Sequence, residues 1–239
     1  MLGRRIHIVG VLAALVLLAT ACDWTQLWVT PALNGVSPQV AINPSNVASL
    51  HEVFYVPFTA HTDILLSGVS TANGILYADD ENTLVAADLA GKTNCSYAGS
   101  PGVCQPLSEG YYGTTYTSTP AVANGLEYLT TDGTHGSMAA VDANGTTGCS
   151  GTPETCQPIF TVTPPLQGSL DASPLVSDGL VFEGGAVYDA NGVNSCSGTP
   201  TVCQPLWADP NGRTVGPDTV SDGELLVRYN NGAVDVFKP

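Results

Sequence analysis

Lysine and arginine are scarce in this chain: 6 of 239 residues, against 21 Asp and Glu, for a formal net charge of −15. A surface of that sign repels nucleic-acid phosphates and anionic lipid headgroups, which excludes nucleic-acid binding and electrostatic attachment to a membrane. Helical periodicity is the second absence. Beyond residue 21 the apolar residues do not recur at the i, i+3, i+4 spacing of an amphipathic helix, so a helical fold is excluded. The third is catalytic vocabulary. No G-x-S-x-G elbow, P-loop or H-E-x-x-H pair occurs, which removes the motif-borne routes to serine hydrolysis, nucleotide hydrolysis and zinc proteolysis. His51, His61 and His135 are scattered rather than clustered, so they do not form the grouped ligand set of a zinc site.

What is present begins with an export signal. Arg4 and Arg5 make a positive n-region, and Ile8 to Ala21 is an apolar stretch shorter than the roughly 20 residues a bilayer span requires. Small residues then lead into a cysteine, Ala19-Thr20-Ala21-Cys22. This resembles the bacterial lipobox, in which the cysteine becomes the mature N-terminus and carries the lipid. Plain cleavage after Ala21, leaving Cys22 free, is the alternative. Residues 1–21 are therefore expected to be a signal peptide, 22–49 a lipid-anchored tether and 50–239 the folded domain. Losing Arg4 and Arg5 leaves 4 Lys and Arg against 21 acids, a net charge of −17. Membrane attachment then falls to lipid on Cys22 rather than to charge. The destination is extracytoplasmic, on the cell membrane or on an outer membrane facing the periplasm.

Cys22 aside, six cysteines fall into three close pairs: Cys95/Cys104, Cys149/Cys156 and Cys196/Cys203. An even set in an exported chain reads as disulfides. The intervals are too wide for a metal-binding knuckle. Closing such short loops contributes ~2–3 kcal/mol each, so these bonds are expected to pin loops rather than hold the fold together.

The chain is also a repeat. Ser118-Thr119-Pro120-Ala121-Val122-Ala123-Asn124-Gly125-Leu126-Glu127-Tyr128 is followed by Met138 to Gly145 and then Cys156-Gln157-Pro158-Ile159-Phe160. Related copies run from Val69, from Ala172 and from Thr219, and their turn glycines Gly74, Gly125, Gly179 and Gly223 lie 51, 54 and 44 residues apart. Asn-Gly and Asp-Gly supply the positive φ of two-residue hairpins, and the flanking Val, Leu, Tyr and Thr runs read as strands. Three strands, A to C, precede each cysteine loop, and a fourth, D, follows it. A unit of this kind cannot cover both its faces, so copies must stack about an axis. The last copy stops after C, and the segment 50–56 offers a spare D strand to complete it.

The S-x-P-A-V-A-N-G-x-x-Y hairpin and the A-V-D-A-N-G strand end resemble the quinoprotein-type (PQQ-like) β-propeller repeat, and residues 43–50 resemble the lead-in of its exported bacterial members. The resemblance covers most of residues 43 to 239. It implies an all-β propeller of four-stranded antiparallel blades, about four in number, with the N-terminal strand closing the last blade. A closed ring and a half-ring that pairs with a second copy into eight blades both stay open. Trp207 stands at the family's D-strand tryptophan position, where the other copies carry Leu107 and Phe160. PQQ enzymes of the family hold their cofactor with an adjacent-cysteine disulfide, calcium ligands and a catalytic aspartate. No Cys-Cys pair exists here, so PQQ is not expected.

One face of such a disc gathers the B–C turns and D–A loops. It would carry Asp79, Asp80, Glu81, Asp132 and His135, together with Tyr111, Tyr112 and Tyr116. Oxygen ligands from Asp79, Asp80 and Asp132 could hold Ca²⁺, with His135 as an acid–base group; the tyrosines suit a carbohydrate or a protein. The expectation is a non-catalytic, membrane-anchored module that binds protein or polysaccharide. The alternative is a Ca²⁺-assisted hydrolase or lyase using the acidic turns.

Overall fold

The computed structural model describes residues 25–26, 42–57, 68–80, 83–99, 101–111, 115–116, 118–132, 137–152, 154–163, 173–211, 217–229 and 231–239. Cys22 and residues 1–21 lie outside these. The regular structure of the described residues is almost entirely strand, with one 3₁₀ turn at Val47–Ser49 and no α-helix.

Strand β1 (Phe54–Tyr55) precedes the first unit, which consists of β2 (Val69–Ala72), β3 (Ile75–Asp80), β4 (Thr83–Asp88), a hairpin of β5 (Cys95–Ser96) and β6 (Gly102–Cys104), and β7 (Ser108–Tyr111). The second unit holds β8 (Thr115–Tyr116), β9 (Ala121–Ala123), β10 (Leu126–Asp132), β11 (Ser137–Asp142), the hairpin β12 (Cys149–Gly151) and β13 (Glu154–Cys156), and β14 (Phe160–Val162). The third holds β15 (Leu175–Ser177), β16 (Leu180–Glu183), β17 (Ala186–Asp189), the hairpin β18 (Cys196–Ser197) and β19 (Val202–Cys203), and β20 (Trp207–Ala208). A three-stranded fourth unit follows: β21 (Thr219–Ser221), β22 (Glu224–Arg228) and β23 (Val234–Phe237).

Local chemistry sets these elements. Asn73-Gly74, Asn124-Gly125, Asp178-Gly179 and Asp222-Gly223 all have positive φ at both positions. That is the type I′ geometry whose twist matches the strands it joins. In the first three units the third strand (β4, β11, β17) ends in an aspartate that folds the following turn onto itself. Asp88 accepts backbone N–H bonds from Ala90, Lys92 and Thr93; Asp142 does so from Asn144, Thr146 and Thr147; Asp189 does so from Asn191 and Asn194. The glycine three residues later has positive φ and makes room for its neighbour: a Cβ on Gly192 would stand 2.4 Å from the Phe160 ring, and one on Gly91 2.9 Å from Phe54.

All three disulfides form, each across register-paired cysteines of its hairpin. They do more than pin loops. The second strand of each hairpin adds in parallel to the outer edge of a strand earlier in the chain: β6 on β1, β13 on β7 and β19 on β14. Hydrogen bonds therefore run from one unit's sheet into the next unit's hairpin.

The segment expected to close the last unit behaves differently. β1 relates to β6 as β7 does to β13, so it holds a D-strand position, but its only described partner is β6. No described strand covers the outer edge of β23. The residue matching Trp207 and Phe160 in register is also Ser108 rather than Leu107, because Ser108 faces Ala86 as Phe160 faces Ala140 and Trp207 faces Val187.

The core lies between units. Tyr128, Phe160, Val181 and Tyr188 pack between the second and third; Tyr77, Val122 and Ala143 pack between the first and second. The tyrosine of the repeat ties adjacent units directly: Tyr77 Oη donates to Ala143 O at 2.9 Å and Tyr128 Oη to Ala190 O at 2.7 Å.

Candidate functional site

The expected face is partly outside view. Glu81, Tyr112 and His135 lie beyond the described residues, and Asp80, Tyr111, Tyr116 and Asp132 are placed by backbone alone. Strand pairing sets Asp80 opposite Thr83 and Thr83 opposite Tyr111 in the first unit. In the second it sets Asp132 opposite Thr115 and Thr131 opposite Tyr116. Asp79 departs from expectation. It is a strand residue with no exposure, not a turn-tip ligand, because it shares the inward face of β3 with Tyr77. Among the described residues no three His, Cys, Asp or Glu groups converge to hold a metal ion.

Buried acids missed by the sequence reading lie in the unit boundaries instead. Glu127, 2% exposed, has an Oε1 with no hydrogen-bond partner among the described residues. Burial first, and then the charge of Asp79, drive its pKa upward. A second group joins the third and fourth units. Asp218 Oδ2 accepts from Gly185 N at 3.0 Å, Tyr229 Oη donates to Asp209, and Glu183 sits close enough to Asp218 to feel its charge. Burial and that charge push Glu183 up to about 8, and burial, opposed by the Gly185 N–H, pushes Asp218 to about 7. The available signal was a break in the repeat: Glu127 stands where the other copies carry Leu76, Val181 and Leu225.

An apolar groove of about 470 Å³ lies between the third and fourth units, walled by Leu180, Phe182, Val187, Trp207, Leu225 and Phe237. The residues around this boundary depart from the repeat. Lys238 replaces the turn-holding aspartate and pairs with Glu224 at 2.5 Å. Phe182 replaces the bridging tyrosine. Trp207 meets Phe237 edge-on, with ring centroids 4.9 Å apart. A smaller cavity of about 170 Å³ between the first and second units is lined by Ser108 and Gly145, where a serine stands in an aromatic position.

No family model matches the chain, and no curated protein does. Solved structures do. The quinohemoprotein alcohol dehydrogenase of Comamonas testosteroni aligns at a TM-score of 0.51 with 15% identity, covering 77% of this chain and 26% of that one. With the repeating antiparallel units, that decides the architecture. The chain folds as a β-propeller. BamB of Moraxella catarrhalis aligns at a TM-score of 0.45 with 12% identity over 72% of this chain and 46% of its own. The computationally designed protein Ika4 aligns at 0.48 with 11% identity, over 77% of this chain and 96% of its own. The propeller described here thus spans about a quarter of the dehydrogenase and about half of BamB, and what is shared is the fold.

The distant likeness to the dehydrogenase establishes no cofactor for this propeller. Its inner strands β9 and β15 are already engaged, because Val122 N donates to Thr25 O at 2.6 Å and Val176 N to Gln26 Oε1 at 3.0 Å. The six paired cysteines all lie in the outer hairpins. Those disulfides fit an oxidising, extracytoplasmic compartment.

Proposed function

We propose that this propeller is a non-catalytic, extracytoplasmic binding module, lipid-anchored through Cys22, whose ligand is a protein. The observation that carries the reading is the apolar groove between the third and fourth units. Apolar clefts lined by aromatic anchors are where binding energy concentrates, whereas the boundary between the second and third units is packed by Tyr128, Phe160 and Tyr188. The strong negative charge of the chain selects a partner with a neutral or basic contact surface. The tether fits the same picture. Thr25 and Gln26 rest on the inner strands, so only a few residues separate them from Cys22 and the propeller is held near the bilayer.

The test places a photo-reactive residue at Leu225, in the groove, or at Tyr97, on the first hairpin, in the intact protein in its host. A discrete protein adduct at Leu225 and none at Tyr97 is expected. No adduct at Leu225 or at Phe237 would sink the reading. Radiolabelled fatty acid incorporated in the wild type and absent from Cys22→Ala tests the anchor separately.

A further inference from the structure

Three turns of this fold make the same seat, and two of them hold a ring in it. The seat lies over the glycine three residues past the turn-holding aspartate, beside the D-position strand ahead of that unit. A Cβ on Gly91 would stand 2.9 Å from the Phe54 ring, and one on Gly192 2.4 Å from the Phe160 ring. At Gly145 the strand residue is Ser108, whose Cβ lies 3.8 Å from the same point. Register gives the match. Ser108 pairs with Glu154 as Phe54 pairs with Gly102, and Phe160 precedes Thr161, which pairs with Val202. The missing ring leaves the cavity of about 170 Å³ between the first and second units, with Ile75, Ala86, Leu107 and Ala143 as its apolar walls. Ala86 and Ala143 are buried, and Glu154 is exposed at the mouth. Its Oε2 lies over Gly145, 2.6 Å from where a Cβ would stand. Gly102 and Thr201, which hold that register in the other two seats, carry no charge. This seat has lost a ring and gained an anion.

We propose that this cavity is a binding site for a small aromatic amine. One six-membered aromatic ring takes the place that Phe54 and Phe160 fill in the other seats, and an ammonium on a short arm pairs with Glu154. The fold itself shows that the seat accepts such a ring, since the two equivalent seats each hold a phenyl group. Size agrees, because an apolar cavity of about 150 Å³ takes up one benzene ring. The charge of the ligand follows from Glu154, and the net charge of −15 draws cations to the surface in preference to anions. The arm is short because the carboxylate reaches over Gly145 itself. This site is separate from the groove between the third and fourth units and does not depend on what that groove binds.

Benzylamine is the probe, titrated into the full-length protein in detergent and followed by NMR. Saturable binding at millimolar concentration is expected, with nuclear Overhauser contacts from the ring protons to the methyls of Ala86 and Ala143. Benzyl alcohol keeps the ring and lacks the charge, so it should bind ~2–5-fold more weakly, the range of an exposed ion pair. Methylamine, with the charge and no ring, should not saturate. Ser108→Phe puts the chain's own ring in the seat and should weaken benzylamine at least ~10-fold, since a filled interior leaves no room for a second ring. Ser108→Leu carries the same expectation should Ser108→Phe fail to fold. Glu154→Gln should remove the preference for benzylamine over benzyl alcohol and leave the melting temperature unchanged. The proposal fails if benzylamine does not saturate, if its ring contacts fall at Trp207 instead of Ala86, or if the filled variant binds as the wild type does. An unchanged preference in Glu154→Gln would overturn the pairing with the carboxylate.

Discussion

The hydroxyl of Tyr128 donates to the carbonyl oxygen of Ala190, 2.7 Å away across the boundary between the second and third blades. Tyr77 does the same to Ala143 one blade earlier. Each bond satisfies a carbonyl at the start of the turn that the neighbouring aspartate folds. Tyr128→Phe leaves a buried acceptor unpaired and should cost about 1–2 kcal/mol. Tyr77→Phe should cost a similar amount, and the double variant should lose about the sum, since the sites share no partner. Urea denaturation of the three variants checks this; a loss below ~0.3 kcal/mol in either single variant would show that the hydroxyl does not tie the blades.

Ser108 occupies the position held by Phe160 and Trp207 in later blades, and the cavity of about 170 Å³ beside it follows from that substitution. Ser108→Phe should fill the void and raise stability by about 1 kcal/mol, seen as a higher melting temperature. A lower melting temperature would mean that Glu154, which also lines the cavity, has no room to move aside.

Two glycines with positive φ separate strain from crowding. A Cβ on Gly74 meets nothing within 4 Å, whereas one on Gly192 meets the Phe160 ring at 2.4 Å. Gly74→Ala should cost only the left-handed backbone penalty, about 1–2 kcal/mol. Gly192→Ala should lose about 1–3 kcal/mol more from overpacking. Equal losses would contradict the packing of the turn against the preceding blade.

Stability should fall as pH rises from mildly acidic to mildly basic. Glu183 and Asp218 have folded-state pKa values raised to about 8 and about 7, with burial the first cause of each. A carboxyl raised in the fold contributes fully below its unfolded pKa of about 4, and that contribution is lost as pH climbs through the folded value. Among the described residues, the groups around them, Asp209, Tyr188 and Tyr229, add no cation to relieve the ionised form. The turn-holding aspartates act in the opposite direction. Backbone N–H bonds from Thr93 and Ala90 lower Asp88 to about 2. At Asp142 the bonds from Thr146 and Thr147 outweigh the raising effect of burial. Stability from these two groups is present above pH ~4 and lost below it. The melting temperature should therefore peak at about pH 4. Between that peak and pH 8 the loss should reach at least ~1 kcal/mol, and Glu183→Gln with Asp218→Asn should flatten this basic limb. An unchanged basic limb in the double variant would remove these two groups from the account.

Much of the blade was legible because its causes are local. The paired positive φ of Asn124-Gly125, the aspartate that ends β11 and the disulfide of Cys149 with Cys156 each involve residues within about ten positions of one another, so spacing and residue type carry them. The candidate site was far less legible. Asp79 reads as part of a polar turn next to Asp80 and Glu81, yet the inward alternation of β3 takes it into the boundary with the second blade. Glu127 looked like an ordinary strand residue, and its burial depends on which neighbour covers β10.

From the sequence alone follow the repeat, the strand-forming units, the hairpin turns and the pairing of cysteines, since short-range backbone geometry specifies all of them. Only the tertiary structure decided that each hairpin is added to a strand ahead of its own blade, that β1 lies on β6 and not on β23, and that a groove opens beside Trp207. These depend on partners about 50 residues distant along the chain, where edge matching and side-chain volume choose the contact and no local pattern records the choice.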